Sequence, residues 1–296
     1  MVAKDIIPKL TFAQYVQRIH PGFEVNWHHD VMFGELQDFA DGLVDKLMFF
    51  MPPRCSKSLT CSKLFPGYLL YYYSSQEVLL FSFNQPVAQH LYEGVGEFLS
   101  TNEWKDLWDK EEPFHLPGFV NNKSRPTILL PDGSTLYSLP GESTFTGMGF
   151  DWVLSDELIL NRNYADSWAV QNSLYDLYRI KLSCRQKGDT ERSLHATSRW
   201  RKNDVIGRLV ADGGWRVISF PAIAEEDEEW EGTDGKTHFR SRGHALWPEK
   251  HDLAQLYRIK EEIGDAEFEG LGITYLTKQT EPVSILPKLN GEVKNG

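Results

Sequence analysis

No run of about twenty apolar residues occurs in the chain, so the sequence holds no helical membrane span. Neither a signal peptide nor a lipidation motif is found. Cysteine is scarce: Cys55, Cys61 and Cys184 are the three present, with no metal-ligand spacing and no disulfide framework, which suits a reducing cytosol. No repeat or low-complexity segment stands out. Positive charge is also lacking, since the net charge of −11 argues against a protein that simply coats nucleic acid. Much of the acidic excess is local, in the run Ala224 to Glu231, which is expected to be a solvated loop.

What the chain does have is enough apolar residue, 41% over 296 positions, for one large α/β domain or a domain with a small subdomain. Three segments carry chemistry. Residues 46–58 run from an apolar stretch through Pro52-Pro53 to Lys57-Ser58. A strand that delivers a turn to a helix N-terminus offers backbone amides to phosphate. The usual glycines of such a loop are missing, with Met51 at the first and Ser56 at the second. Residues 149–157 form a short apolar strand ending in Asp156-Glu157, the adjacent carboxylates an ATPase needs for its metal shell and its attacking water. A lone pair of this kind is usually a strand end meeting solvent, but the upstream Lys57-Ser58 favours the chemical reading. Residues 193–210 give a strand ending in Thr197-Ser198, then Arg199-Trp200, then a helix starting near Asn203-Asp204.

Periodicity predicts helices near 12–20 and 27–43, a strand at 47–51, and a helix from Lys57 to about Tyr72 that Pro66 kinks. A buried strand follows at 78–83, then a helix capped by Asn84 with Pro86 in its first turn. Residues 127–130 and 135–139 flank Pro131-Asp132-Gly133-Ser134 as a hairpin. Further strands are expected at 152–155, 194–197 and 215–220, and helices at 165–182 and 252–263. This alternation implies a mostly parallel sheet sandwiched by helices, with the phosphate loop at the carboxyl ends of the strands. Beyond about Ala222 the pattern turns irregular.

Taken together, these segments resemble the ATPase domain of the large terminase subunit of tailed bacteriophages, the motor that packages DNA into a procapsid. The resemblance rests on Met51, Pro52, Pro53, Arg54, Lys57 and Ser58 in the loop, and on Thr197 to Trp200 followed by Asn203-Asp204. It extends to Asn26-Trp27-His28-His29-Asp30, to Val217 through Ala224, and to Leu246-Trp247-Pro248-Glu249, covering about residues 12 to 270 in matching order. It implies an ASCE-type P-loop NTPase fold: an ATPase core at 1–222, a small lid subdomain at 223–273 and a tail at 274–296. It also implies an enzyme that hydrolyses ATP with magnesium to translocate double-stranded DNA. Its partners would be further copies in a ring, taken as a pentamer, the portal protein, the small terminase subunit, and a nuclease domain or subunit. The site of action would be the host cytoplasm, docked on the procapsid, and not the mature virion.

Roles follow from the resemblance. Lys57 would reach the β- and γ-phosphates, and the amides of Arg54, Cys55, Ser56, Lys57 and Ser58 would cradle the phosphates, which Pro53 would border. Ser58 and Asp156 would serve magnesium, Glu157 the water, and Thr197 and Ser198 would sense the γ-phosphate. Arg54 would contact phosphate charge, and Trp27, His28 and His29 would border the adenine, although an ordinary helix start is the plainer alternative for these three. His195, inside a strand, is expected in the core. Two departures stand out: Ser56 replaces a glycine, and Met148 replaces an arginine that could serve as a finger, leaving Arg162, Arg185 or Arg54 to substitute. The residues after Thr274 are too few for the family's nuclease domain, so no nuclease activity is expected of this chain. Two alternatives remain open: a degenerate nucleotide-binding ring subunit, and a helicase-like nucleic-acid ATPase.

Overall fold

The computed structural model describes residues 9–108, 118–120, 125–141, 147–159, 161–182, 187, 192–201 and 203–268. Cys184, Arg185, Thr146 and the expected 274–296 tail lie outside them.

An eight-stranded sheet organises the chain in the order β3-β4-β5-β2-β6-β7-β1-β8. Its strands are β1 (Lys46–Phe50), β2 (Glu77–Ser82), β3 (Gly118–Val120), β4 (Thr127–Leu129), β5 (Thr135–Pro140), β6 (Trp152–Asp156), β7 (Ser193–Thr197) and β8 (Arg216–Ser219). From β5 to β8 every pairing is parallel, and β3 and β4 add an antiparallel edge. The expected hairpin is present: β4 and β5 flank the turn, in which Asp132 accepts from the Ser134 amide.

Helices cover both faces: α1 (Phe12–Ile19), α2 (Trp27–Asp41), α3 (Phe65–Tyr72), α4 (Gln85–Leu99), α5 (Asn102–Asp106), α6 (Arg162–Asp166), α7 (Trp168–Asp176) and α8 (Val205–Asp212). The strand period of two decides which face each residue serves. Leu47, Phe49 and Met51 join the larger core with α1 to α4, whereas Met48 and Phe50 join the second core under α7 and α8. On β6 the same alternation puts Trp152 and Leu154 on the larger-core side and Val153 on the other. Asp156 therefore faces the helix that follows the Met51 to Ser56 loop. His195 is fully buried, bonded to Ser155 and packed against Tyr178 and Trp215, as a core residue should be.

Three elements differ from expectation. The helix after Lys57 is not an α-helix kinked at Pro66. It runs as a π-helical turn over Leu59–Leu64 and enters α3 with Pro66 in its first turn. Proline has no N–H to donate, so the wider register is closed just before it by Phe65 N–H to Thr60 O. The helix expected at 165–182 is broken at Ser167, whose extended backbone and side chain cap α7 through the Val170 amide, and a π-helical turn occupies Leu177–Leu182. The acidic run is not wholly a solvated loop. Its second half is β9 (Glu228–Glu231), paired with β10 (Thr237–Arg240). Buried Arg240 forks onto both carboxylate oxygens of buried Glu228, at 2.9 and 2.7 Å, which neutralises the charge, and Trp230 packs on Phe220.

Beyond β10 come α9 (Leu253–Ile263) and α10 (Asp265–Phe268), with a small cluster of Ala222, Ala245, Leu256 and Phe268. Among the described residues no helix is long and apolar enough to cross a membrane.

Candidate functional site

Three parallel strands, β1, β7 and β6, are neighbours in the sheet, and each ends in residues that meet above it. β1 leads into the loop at Met51 to Ser58, β6 ends at Asp156-Glu157, and β7 ends at Thr197-Ser198. The carboxyl edge of such a sheet is where ligands bind.

Lys57 is buried at 6% exposure, and its Nζ is ion-paired with Glu157 Oε1. The same Nζ donates to Ser198 Oγ at 3.1 Å. Ser198 completes the ring: its Oγ donates to Glu157 Oε1 at 3.0 Å and its amide donates to Oε2 at 3.3 Å. Residues separated by 100 and 141 positions are thus brought into one hydrogen-bonded group. Thr197 lies just behind, buried, with its Oγ1 on the Ser198 carbonyl.

Asp156 is different. It is fully buried, and neither carboxylate oxygen has a partner of good geometry. Burial raises its pKa; Lys57 nearby, and the hydroxyls of Ser58 and Ser62, pull the other way. A buried carboxylate without a partner, beside a serine hydroxyl and an ammonium, is chemistry suited to a hard divalent cation with oxygen ligands. Ser58 and Asp156 are the residues that could hold it. Among the described residues there is no cluster of three or more His, Cys, Asp or Glu side chains. A magnesium held by a hydroxyl, a carboxylate, phosphate and water does not require one.

The loop backbone is strained in a telling way. Arg54 and Ser56 both have φ near 63°, and Glu157 has φ of 46°. Side chains other than glycine rarely occupy this left-handed region, which costs about 1–3 kcal/mol per residue. Ser56 therefore takes the conformation for which the missing glycine is suited. Its carbonyl starts the following helix by accepting from Thr60 N–H at 2.9 Å. Arg54 and Pro53 are exposed at the loop crest, and Arg54 makes no ion pair with a described residue.

Trp27 and His28 differ in exposure, the first half-buried and the second fully buried. His28 and His29 are fully buried and their rings lie 3.9 Å apart, between α2, Phe220 and Trp247. Burial, reinforced at His28 by its neighbour His29, pushes their pKa values down to about 2 and about 4, while the Cys55 backbone close to both rings opposes the shift. Trp27 is half-buried and donates Nε1–H to the Leu246 carbonyl at 3.2 Å. These three residues sit beneath the loop and join it to the C-terminal segment. Cys55, buried within the loop, has its thiol pushed up to about 11, and Cys55 and Cys61 are both unbridged.

Residues that sequence reasoning missed include Ser62, one helical turn beyond Ser58; that spacing, next to a phosphate loop, was the available signal. Asp204 is another. Fully buried, it caps α8 through Gly207 N–H at 2.8 Å, accepts from the Trp200 and Arg201 amides, and lies 3.5 Å from Arg199. It thereby fixes the segment that follows Ser198. Arg162 pairs with Asp166 at 3.5 Å, and Met148 packs on the second core.

No protein-family model matches the chain, and no curated protein does. Solved structures do. The chain is similar to the HK97 bacteriophage large terminase at a TM-score of 0.57 and 12% identity, over 89% of this chain and 54% of that one. It is also similar to the ATPase domain of the Thermus phage P74-26 large terminase, at 0.46 and 13%, over 77% and 87% respectively. The chain thus spans about half the length of the HK97 protein. Its mostly parallel sheet flanked by helices is the fold it shares with the HK97 bacteriophage large terminase.

Proposed function

We propose that this chain is the ATPase motor of a viral terminase, which hydrolyses ATP to drive double-stranded DNA into a procapsid. The observation that carries this reading is the convergence of Lys57, Glu157 and Ser198 beside the unpartnered, buried Asp156 at one edge of the sheet. The shared fold supports it.

On this reading the Lys57–Glu157 ion pair is the resting arrangement. The γ-phosphate competes for the Lys57 ammonium and takes it, which frees Glu157. Glu157, still held by the Ser198 amide and hydroxyl, orients the attacking water and accepts its proton. Ser198 touches both Lys57 and Glu157, so it registers the exchange and passes it to Arg199–Asp204 and α8. Amides from Arg54 to Ser58 cradle the phosphates, and Arg54 adds charge at the crest. Magnesium, when bound at Ser58 and Asp156, supplies neutralisation of charge building on the phosphate oxygens. The chain works as a homo-oligomeric ring, proposed as a pentamer, on the portal protein, with the small terminase subunit and a nuclease domain or subunit as partners. It does so in the host cytoplasm.

The test is ATP turnover with magnesium, with and without duplex DNA, beside Lys57→Ala and Glu157→Gln. Both variants are expected to lose at least about 100-fold, the range seen when a charge-stabilising or proton-transfer group is removed. Turnover by the wild type no faster than by Glu157→Gln at high protein concentration would favour a degenerate ring subunit. Unwinding of duplex DNA, in place of movement along it, would favour a helicase-like ATPase.

A further inference from the structure

The phosphate loop has a neighbour from far along the chain. Leu246 is tied to the body twice, by its amide to the Ala222 carbonyl at 2.8 Å and by its carbonyl to Trp27 Nε1. Trp247 next to it is buried edge-on against His28 and His29, with ring centroids 5.4 and 4.9 Å away, and those two rings lie under the Cys55 backbone of the loop. The chain then turns sharply. The Trp247 carbonyl accepts from both Lys250 N–H, at 3.1 Å, and His251 N–H, at 2.9 Å. This turn folds Lys250 back, so that its ammonium sits 3.8 Å from the centre of the Trp247 ring.

Lys250 is exposed, and no described carboxylate pairs with it. Cys55 of the phosphate loop and Leu246 belong to one buried cluster, and the Lys250 charge reaches the Cys55 thiol, where it opposes the upward push of burial. Arg54, also exposed and unpaired, stands on the same loop. In a chain of net charge −11, two exposed cations that pair with no described carboxylate, beside a loop of left-handed backbone, mark a place prepared for an anion. An ammonium is a donor-only point charge, so the acceptor that complements it best is an anionic phosphate oxygen.

We propose that Lys250 is a nucleotide-binding residue that reaches the polyphosphate of a bound nucleoside triphosphate from the C-terminal segment. The proposal rests on the nucleotide-site reading above. Because Lys250 rides on Trp247, a phosphate that holds the ammonium also holds the Leu246–Lys250 segment against the loop.

The experiment is equilibrium binding of ATP, inorganic tripolyphosphate and adenosine to the wild type, Lys57→Ala, and the Arg, Gln and Glu variants at Lys250. The expected order of ATP and tripolyphosphate affinity is wild type and Lys250→Arg, then Lys250→Gln, then Lys250→Glu. The Gln variant should be weaker by about tenfold or more, as for one charge-assisted hydrogen bond, with adenosine binding unchanged. If Lys57→Ala loses ATP but the Gln and Glu variants bind like wild type, the Lys250 proposal falls alone. Equal losses for ATP and adenosine, or equal affinities for the Gln and Glu variants, would also overturn it, since they would mean a packing role through Trp247. A wild type that binds no ATP, or binds it regardless of Lys57, would bring down the nucleotide reading and this proposal together.

Discussion

The wall of helices α1 to α3 and the phosphate-loop end of the sheet are built by opposite means. In the wall, Phe12 meets Phe33, Phe65 and Tyr68 with ring centroids 5.2 to 5.5 Å apart, all fully buried. Its chain ends are closed locally, as by the capping box of Thr11 and Gln14. At the other end, a buried carboxylate and two buried histidines keep polar atoms without partners. Of the five non-glycine residues with positive φ among the described residues, three (Arg54, Ser56 and Glu157) lie there. Backbone strain persists only where the surroundings hold it in place, and here it gathers where chemistry is proposed.

If that contrast is real, damage to the wall should cost stability and damage to the loop end should not. Phe12→Ala is expected to destabilise the fold by about 3–5 kcal/mol in denaturant titration, the range for a large aromatic cavity. A loss below about 1 kcal/mol would mean the wall collapses onto the gap.

Acid should act first on the loop end. His28 and His29 resist protonation when folded but not when unfolded, so the unfolded state binds more protons below about pH 6.5. Stability therefore falls as pH drops through that value, and for His29 the fall continues until about 4. His28→Leu should remove about 2 kcal/mol of the loss between pH 6.5 and 5, since one group contributes about 1.4 kcal/mol per pH unit. An unchanged slope would place the acid sensitivity elsewhere, for instance at buried His195.

Asp156→Asn separates stability from function. Burial raises the folded-state pKa, so the ionised carboxylate is a penalty at neutral pH that fades as pH falls through that raised value. The variant should be more stable without nucleotide by about 1–2 kcal/mol while losing magnesium-dependent turnover. Equal or lower stability would mean that Asp156 is better satisfied than its geometry shows. Ser56→Gly should give the smallest gain, about 1 kcal/mol, by relieving a left-handed serine. A loss would show that the Ser56 side chain supports the loop.

Much of this arrangement was legible in local sequence. Asn84 does cap α4 through the Val87 amide at 3.0 Å, and the Pro131 to Ser134 turn does join two strands. β1 and β6 end on either side of β7, each an apolar run followed by polar residues. What escaped depends on partners far away in the chain or on register. Glu228 looks like a solvated acid until Arg240, twelve residues on, buries it. His28 looks exposed at a helix start until Trp247, far along the chain, packs against it. The π-helical turn after Lys57 reflects Pro66 acting on a helix that had already begun. Lys250 carries no signal of its own, because its place follows from a turn at Trp247.

The most direct measurement takes Glu157→Gln alone and reads ATP affinity and ATP turnover on the same preparation. On the proposed reading Glu157 releases Lys57 to the nucleotide and then serves the water, so removing its charge should leave affinity equal or higher. Turnover should fall by about 10²–10⁴-fold, as for loss of a group that handles the proton. Turnover within a few-fold of wild type, or an affinity that collapses with it, would contradict the account.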